Sequence, residues 1–154
     1  MSVEATKAVS EIKSEFAPLI VAFCCNWCSY AGADLAGTSR LNYTANVRII
    51  RVPCSCRVNP YFVLRAFQRG ADGVVIAGCH PGDCHYSTGN YFTRRRFSVF
   101  TNLLEYLGIE KDRFKVDWIS AAEGNKFASV MNELLEKVHQ LGPNRKLRDS
   151  RWKR

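Results

Sequence analysis

Seven cysteines carry most of the chemical potential of this 154-residue chain, and they are grouped. Three fall in Cys24-Cys25-Asn26-Trp27-Cys28, two in Cys54-Ser55-Cys56, and two in Cys79-His80-Pro81-Gly82-Asp83-Cys84-His85. Each group ends an apolar run: Ile20 to Phe23, Ile49 to Val52, and Val74 to Ile76. An apolar, β-branched run broken by a glycine or proline reads as a buried strand that delivers the following side chains to a loop at its carboxyl end. Three strand ends therefore carry thiols. The odd count and the short separations argue against a disulfide framework and for metal binding or redox chemistry.

Six of the thiols, Cys24, Cys25, Cys28, Cys54, Cys79 and Cys84, converge if the three strands are neighbours. Thiolates are soft ligands, and four around a compact site suit an iron-sulfur cluster or zinc. Zinc usually takes paired C-x-x-C knuckles, and only Cys25 to Cys28 has that spacing, so the zinc-stabilised interaction module is the weaker reading. A third reading is a thiol-disulfide oxidoreductase using Cys25 and Cys28, since a redox C-x-x-C belongs between a strand and a helix. A dithiol exchanger needs only two thiols, and the surplus at the same edge favours the cluster.

Other residues near the thiols have supporting roles. His80 and His85 flank the last cysteines, where a histidine more often donates a tuning hydrogen bond than ligates. Pro81 and Gly82 shape their loop, and Asp83 suits its turn. Trp27 and Tyr86 are packing that keeps water out. Arg94, Arg95 and Arg96 form a basic helix face just past the thiol loop, suited to an acidic partner. Dinucleotide, phosphate-loop and nucleophile-elbow motifs are absent.

Positioning these groups requires alternating strands and helices. Pro18 to Phe23 is the first strand, and Asn26 is a candidate N-cap that would set Cys28 in the first helical turn. Val47 to Val52 is the second strand; Asn59-Pro60 then caps a helix with Val63, Leu64 and Phe67 inside and Gly70 at its end. The third strand precedes Cys79. Phe97, Phe100, Leu103, Leu104 and Leu107 make an amphipathic helix. A fourth strand over 114–119 alternates in polarity, as at a sheet edge. Ser120 to Glu123 is a capping-box candidate, and Phe127, Val130, Met131, Leu134, Leu135, Val138 and Leu141 line the last helix before Gly142-Pro143. The fold class is therefore α/β: an open, mostly parallel four-stranded sheet with helices on both faces, the layering of flavodoxin-like and Rossmann-like sheets. Ligands of such sheets sit outside the carboxyl ends of the strands, where all three cysteine groups fall.

At 47% hydrophobic residues the chain can bury one sizeable core, so a single domain over 17–143 is expected. Residues 1–16 form an arm, helical or extended, with Ala8, Ile12 and Phe16 at four-residue intervals. Residues 144–154 form a basic tail: Arg145 to Arg154 hold six basic groups against one acid, so +5 of the formal +8 lies there. That tail is a solvated extension or a strip for an acidic partner. No apolar stretch reaches the roughly 20 residues of a spanning helix, and no signal-peptide order opens the chain. A cytoplasmic location is expected.

Four stretches together resemble one family. They are Phe-Cys-Cys-Asn-Trp-Cys-Ser-Tyr (23–30), Arg-Ile-Ile-Arg-Val-Pro-Cys-Ser (48–55), Gly-Ala-Asp-Gly-Val-Val-Ile-Ala-Gly-Cys-His-Pro-Gly-Asp-Cys-His-Tyr (70–86) and Trp-Ile-Ser-Ala-Ala-Glu-Gly (118–124). They resemble the delta subunit of the methyl-viologen-reducing hydrogenase of methanogenic archaea, over about residues 17–143. The resemblance implies a cytoplasmic [2Fe-2S] electron carrier in methanogenesis. It would link a nickel-iron hydrogenase or a formate dehydrogenase to the flavin-containing A subunit of heterodisulfide reductase, which bifurcates electrons between ferredoxin and the CoM-S-S-CoB heterodisulfide. It also implies that four of Cys24, Cys25, Cys28, Cys54, Cys79 and Cys84 bind the cluster, with Cys54, Cys79, Cys84 and one of the first group favoured. The family commonly has glycine where this chain has Cys56, which implies that Cys56 is a bystander.

Overall fold

The computed structural model describes residues 16–149. The arm expected over residues 1–16 lies, except for Phe16, outside the described residues, as do the last five residues of the basic tail. The element order is β1 (Ile20–Cys25), α1 (Ser29–Thr38), β2 (Val47–Val52), a 3-10 turn (Ser55–Arg57), α2 (Pro60–Gln68), β3 (Gly73–Gly78), α3 (Gly89–Tyr106), a second 3-10 turn (Lys111–Arg113), β4 (Phe114–Trp118) and α4 (Gly124–Leu141). The four strands form one sheet in the order β2-β1-β3-β4, and every pairing is parallel. The expected layering holds, with the sheet parallel throughout.

Side chains alternate across a strand, so each strand feeds two cores. Ile20, Ala22 and Cys24 of β1 and Val75 and Ala77 of β3 pack with Ala33 and Ala36 of α1 and with Phe127, Val130, Met131, Leu134 and Val138 of α4. On the opposite face Phe23, Val74 and Ile76 meet Val63 and Phe67 of α2 and Phe97, Phe100 and Leu104 of α3. Helices α1 and α4 thus cover one face, and α2 and α3 the other. β3 is buried at all six positions, as its unbroken apolar run requires between two helical layers. β2 and β4 are the two edges: β4 is partly buried at four of five positions, whereas β2, expected to be a buried strand, has no buried position because it pairs on one side only and carries Arg48 and Arg51.

Local signals set most boundaries, and two were displaced, one by a tertiary hydrogen bond and one by a local turn. Asn59 caps α2 as expected, its side chain accepting from the Tyr61 N–H at 2.9 Å, with Pro60 in the first turn. Asn26 does not cap α1. Its N–H donates to Val52 O at 2.8 Å, which keeps the chain on the strand path and extends β1 to Cys25. Cys28 then occupies the cap position, without a side-chain cap, and the first helical bond is Gly32 N–H to Cys28 O at 2.8 Å. The Ser120–Glu123 pair forms half a capping box: the Glu123 carboxylate accepts from the Ser120 N–H at 2.7 Å, but the segment is a turn and α4 begins at Gly124.

The first residues after α4 lie on the domain. Asn144 is buried and its N–H donates to Asp72 Oδ1 at 3.1 Å, Leu147 packs against the α2 and α3 core, and Asp149 N–H donates to Gln68 O at 3.0 Å. No helix among the described residues is long and apolar enough to cross a membrane.

Phe127 is fully buried and meets Tyr43 edge-on at 5.4 Å between ring centroids, so it ties α4 to the loop before β2. Phe127→Ala is expected to cost about 3–5 kcal/mol of unfolding free energy in denaturant titrations; a loss below about 1 kcal/mol would refute this packing.

Candidate metal centre

The connections run from β1 outward to β2 and from β3 outward to β4, so strand order reverses between β1 and β3. A crevice opens at the carboxyl ends of two such strands. Cys25 ends β1 and Cys79 directly follows β3, so the fold brings these two residues, 54 apart in sequence, to 3.8 Å between sulfurs. Cys28, one turn after β1, joins them. The three sulfurs lie within 4.8 Å of one another, and all three residues are buried.

The charge of this trio is concentrated on one sulfur. Cys25 is drawn down to about 5, chiefly because the Cys28 thiol donates to it; backbone N–H groups of Trp27 and Ser55 and the Cys79 thiol add to this against the opposing effect of burial. The Cys25 sulfur also lies 3.9 Å from Pro53 O, but so long a contact to an acceptor cannot outweigh several donors. Cys28 is pushed well up, first because its proton is shared with Cys25 and then by burial. Burial likewise raises Cys79, although Cys28 and the His85 N–H oppose it. Cys25 is thus the most acidic of the three, and the group suits a soft cation, which displaces thiol protons as it binds.

A second trio lies beside the first. The sulfurs of Cys54, Cys84 and Cys56 stand 2.6, 3.1 and 3.3 Å from the point where a Cβ on residue 89 would be. Gly89 opens α3, and only its missing side chain leaves room for them. Burial pushes Cys54 up to about 12, and the neighbouring Cys56 and Cys84 thiols add to the rise. The two trios are linked through the backbone: the Cys25 sulfur lies 3.9 Å from the carbonyl oxygen of Pro53, the residue before Cys54, and Asn90, the residue after Gly89, donates to Cys79 O at 3.2 Å.

Cys24 is separated from both. Adjacent residues of a strand face opposite ways, so with Cys25 at the crevice Cys24 enters the apolar core of α1 and α4. Burial there raises its thiol to about 12. Neighbouring Ser29 closes the start of α1 onto β3, its hydroxyl donating to Ala77 O at 2.7 Å.

The flanking residues hold the loop from Cys79 to Thr88. His80 Nε2 pairs with Glu123 Oε2 at 2.7 Å, and the Ser120 N–H and His80 together draw Glu123 down to about 2. His85 stacks on Trp27 at 3.7 Å, and Trp27 Nε1 donates to Tyr86 OH at 3.1 Å, so a half-exposed aromatic layer roofs the loop. The turn His80 to Asp83 closes by Asp83 N–H to His80 O at 2.9 Å and needs Gly82 at φ +98°. Asn90, fully buried, spends both amide hydrogens on Cys79 O (3.2 Å) and His80 O (2.6 Å). Arg94, Arg95 and Arg96 are exposed; Arg96 Nη1 donates to Cys56 O at 2.7 Å, and Arg95 lies over the Phe92 ring.

Sequence reasoning missed Cys56, Gly89, Asn90 and Glu123. Cys56 stood out only as an extra thiol, and the others are common residues that become specific through contacts distant in sequence.

Comparison with known proteins gives this geometry a family. The model of the methyl-viologen-reducing hydrogenase delta subunit matches residues 20–142. The iron-sulfur D subunit of the vhc F420-non-reducing hydrogenase from Methanococcus voltae is 56% identical over 126 residues, 82% of this chain and 88% of that one. The iron-sulfur D subunit of the F420-non-reducing hydrogenase from Archaeoglobus profundus is 50% identical over 132 residues, 86% of this chain and 96% of that one. The A subunit of a CoB-CoM heterodisulfide reductase from Methanosarcina acetivorans is 48% identical over 126 residues, which are 82% of this chain and 16% of that longer protein. The chain belongs to the hydrogenase delta-subunit family.

A Cβ at residue 89 would overlap the Cys54 sulfur at 2.6 Å. Gly89→Ala is expected to destabilise the protein by about 1–3 kcal/mol through overpacking and to raise alkylation of Cys54 and Cys56 by iodoacetamide; unchanged stability and thiol reactivity would refute the crowding.

Proposed function

We propose that this member of the hydrogenase delta-subunit family is an electron-transfer subunit. On this reading it receives electrons from a hydrogenase or formate dehydrogenase module and passes them to the flavin-containing A subunit of heterodisulfide reductase, which bifurcates them. The observation that carries the reading is the buried trio Cys25, Cys28 and Cys79 at the switch between β1 and β3. The relatives' names, which include iron-sulfur subunits and heterodisulfide reductase, supply the chemical class.

The donor set fits an iron-sulfur cluster. Its sulfurs are soft and buried, and N–H groups of Trp27, Ser55 and His85 point at them. We assign the centre as [2Fe-2S], held by four of the six cysteines Cys24, Cys25, Cys28, Cys54, Cys79 and Cys84. Cys25, Cys28 and Cys79 supply three ligands, and Cys54 or Cys84 the fourth. Cys24, inside the apolar core, is set aside. When bound, such a cluster takes up and releases one electron at a time. The chain's own part is to hold the thiolates, direct N–H donors at them and limit water. Trp27, His85 and Tyr86 cover the loop, and Asn90 with the His80–Glu123 pair fixes its path.

A thiol-disulfide exchanger using Cys25 and Cys28 fits less well. The lowered Cys25 thiol suits a nucleophile, but its side chain is buried, out of reach of a partner's disulfide, and a third thiol sits 3.8 Å away.

Docking belongs next to the centre. Trp27, Tyr86, Tyr91 and Phe92 are large exposed aromatics on or next to the roofing loop, and Arg94 and Arg95 continue them along α3. Aromatic and arginine side chains in one patch suit a protein partner with acidic groups. The occurrence of a related segment within the longer Methanosarcina reductase polypeptide supports the reductase as a partner.

Protein purified without oxygen is expected to be brown, with iron and sulfide in equal amounts and an EPR signal on reduction. Ala replacements of Cys25, Cys28 or Cys79 bleach it, whereas Cys24→Ala keeps the parent spectrum. A colourless parent, or one holding only zinc, ends the reading. Reversing Arg94 and Arg95 to Glu is expected to weaken binding to the flavin-containing reductase polypeptide at least about tenfold at low salt, with the difference shrinking as salt rises. Unchanged affinity would remove this face from the interface.

A further inference from the structure

We propose that Cys56 is a reserve ligand of the metal centre, and that the three thiols gathered around Gly89 are interchangeable sources of its fourth sulfur. The proposal rests on the iron-sulfur reading above. Cys25, Cys28 and Cys79 supply three sulfurs to a centre that needs four. The next sulfurs at hand are three, not one: those of Cys54, Cys84 and Cys56 all lie within 3.3 Å of a single point against the first residue of α3.

The trio around Gly89 is not a second ion site of its own. Among the described residues, only Cys25, Cys28 and Cys79 have all their sulfurs within 4.8 Å of one another. Its members are instead placed to serve the first trio. Cys54 follows Pro53, whose carbonyl oxygen lies 3.9 Å from the Cys25 sulfur, and Cys56 stands two residues further on in the same 3-10 turn. Gly89, about which the three sulfurs gather, is followed by Asn90, whose amide donates to Cys79 O at 3.2 Å.

The segment carrying Cys56 is anchored from outside the cysteine groups. Arg96 Nη1 holds Cys56 O at 2.7 Å and Val58 O at 3.2 Å, and the Ser55 and Thr93 hydroxyls are hydrogen-bonded at 2.9 Å. These bonds fix the 3-10 turn to α3 and hold the Cys54 and Cys56 thiols together against Gly89. Cys54 is buried, whereas Cys56 is partly exposed. Cys54 is therefore the resident ligand and Cys56 the thiol free to act when it is lost.

The exchange balances without an electron. As the Cys56 sulfur bonds to iron its thiol proton goes to solvent, and the bond from iron to the outgoing sulfur breaks with that sulfur taking up a proton.

The test compares two variants that differ only at residue 56, both purified without oxygen. Cys54→Ser combined with Cys84→Ser is expected to keep at least half of the parent's iron, with shifted EPR g-values. Adding Cys56→Ser to that pair is expected to remove nearly all the iron. Equal iron in the double and triple variants, whether high or low, overturns the proposal. The single variant Cys54→Ser provides a reading that does not depend on the double substitution folding. In the native iron-loaded parent, iodoacetamide should modify Cys56. In the iron-loaded Cys54→Ser protein it should not, until a chelator strips the iron. Modification of Cys56 at the parent's rate in that variant overturns the proposal. Absence of iron from the parent itself is the separate failure of the iron-sulfur reading.

Discussion

One residue of register in β1 governs the whole site. Cys24 and Cys25 are neighbours in a strand, so their side chains leave on opposite faces, and only one of them can reach the crevice between β1 and β3. The parallel pairing of Phe23 with Ile76 and of Cys24 with Ala77 settles the choice in favour of Cys25. A shift of one position would send Cys25 into the apolar core of α1 and α4, turn Phe23 to the wrong layer, and leave Cys79 without its partner at 3.8 Å. The register is held by the two cores: Ile20 and Ala22 have no exposure on one face, and Phe23 has a matching bed of Phe67 and Ile76 on the other.

With that register in place, the ends of the strands become an electrostatic device. Burying three thiols together is unfavourable for more than one negative charge, and Cys25, drawn down while Cys28 and Cys79 are raised, is the sulfur that most readily carries it. The donors that draw it down also suit the sulfurs of a bound cluster. Hydrogen bonds to sulfur are one of the means by which a protein sets such a cluster's potential. Asn90 shows what the arrangement costs: with both amide hydrogens given to the loop, its Oδ1 is buried without a partner, a penalty of about 1–3 kcal/mol.

The surface around the site is built differently from the rest of the edge. Trp27, Tyr86, Tyr91 and Phe92 keep 40–51% of their surface exposed, a cost in apolar hydration that a partner would remove. Arg96 is held to the Cys56 turn, while Arg94 and Arg95 remain exposed beside that aromatic group. At the opposite end of the sheet, buried Arg113 is bound by Glu110 and Asp72 O, and Asp72 in turn accepts from Leu19 and Asn144. Those polar contacts are internal and serve the fold.

Much of this was legible in the chain itself. The apolar runs identified the first three strands, of which β1 and β3 are buried while β2 is a partly exposed edge, the cysteines after them marked the rim where the thiols gather, and Asn59-Pro60 marked a helix start, because each of these signals is local. Asn26 and Ser120 were misleading as helix starts for the opposite reason: a hydrogen bond from Asn26 to Val52 O and a turn before Gly124 overrode their local preference. Composition and spacing alone thus determined that this is a layered α/β protein with its thiols gathered at one rim. Only the tertiary structure divided those thiols, placing Cys24 in the core, Cys25 with Cys28 and Cys79, and Cys56 with Cys54 and Cys84. Strand pairing and the bare α-carbon of Gly89 decide which sulfurs meet, and both act between residues far apart in the chain.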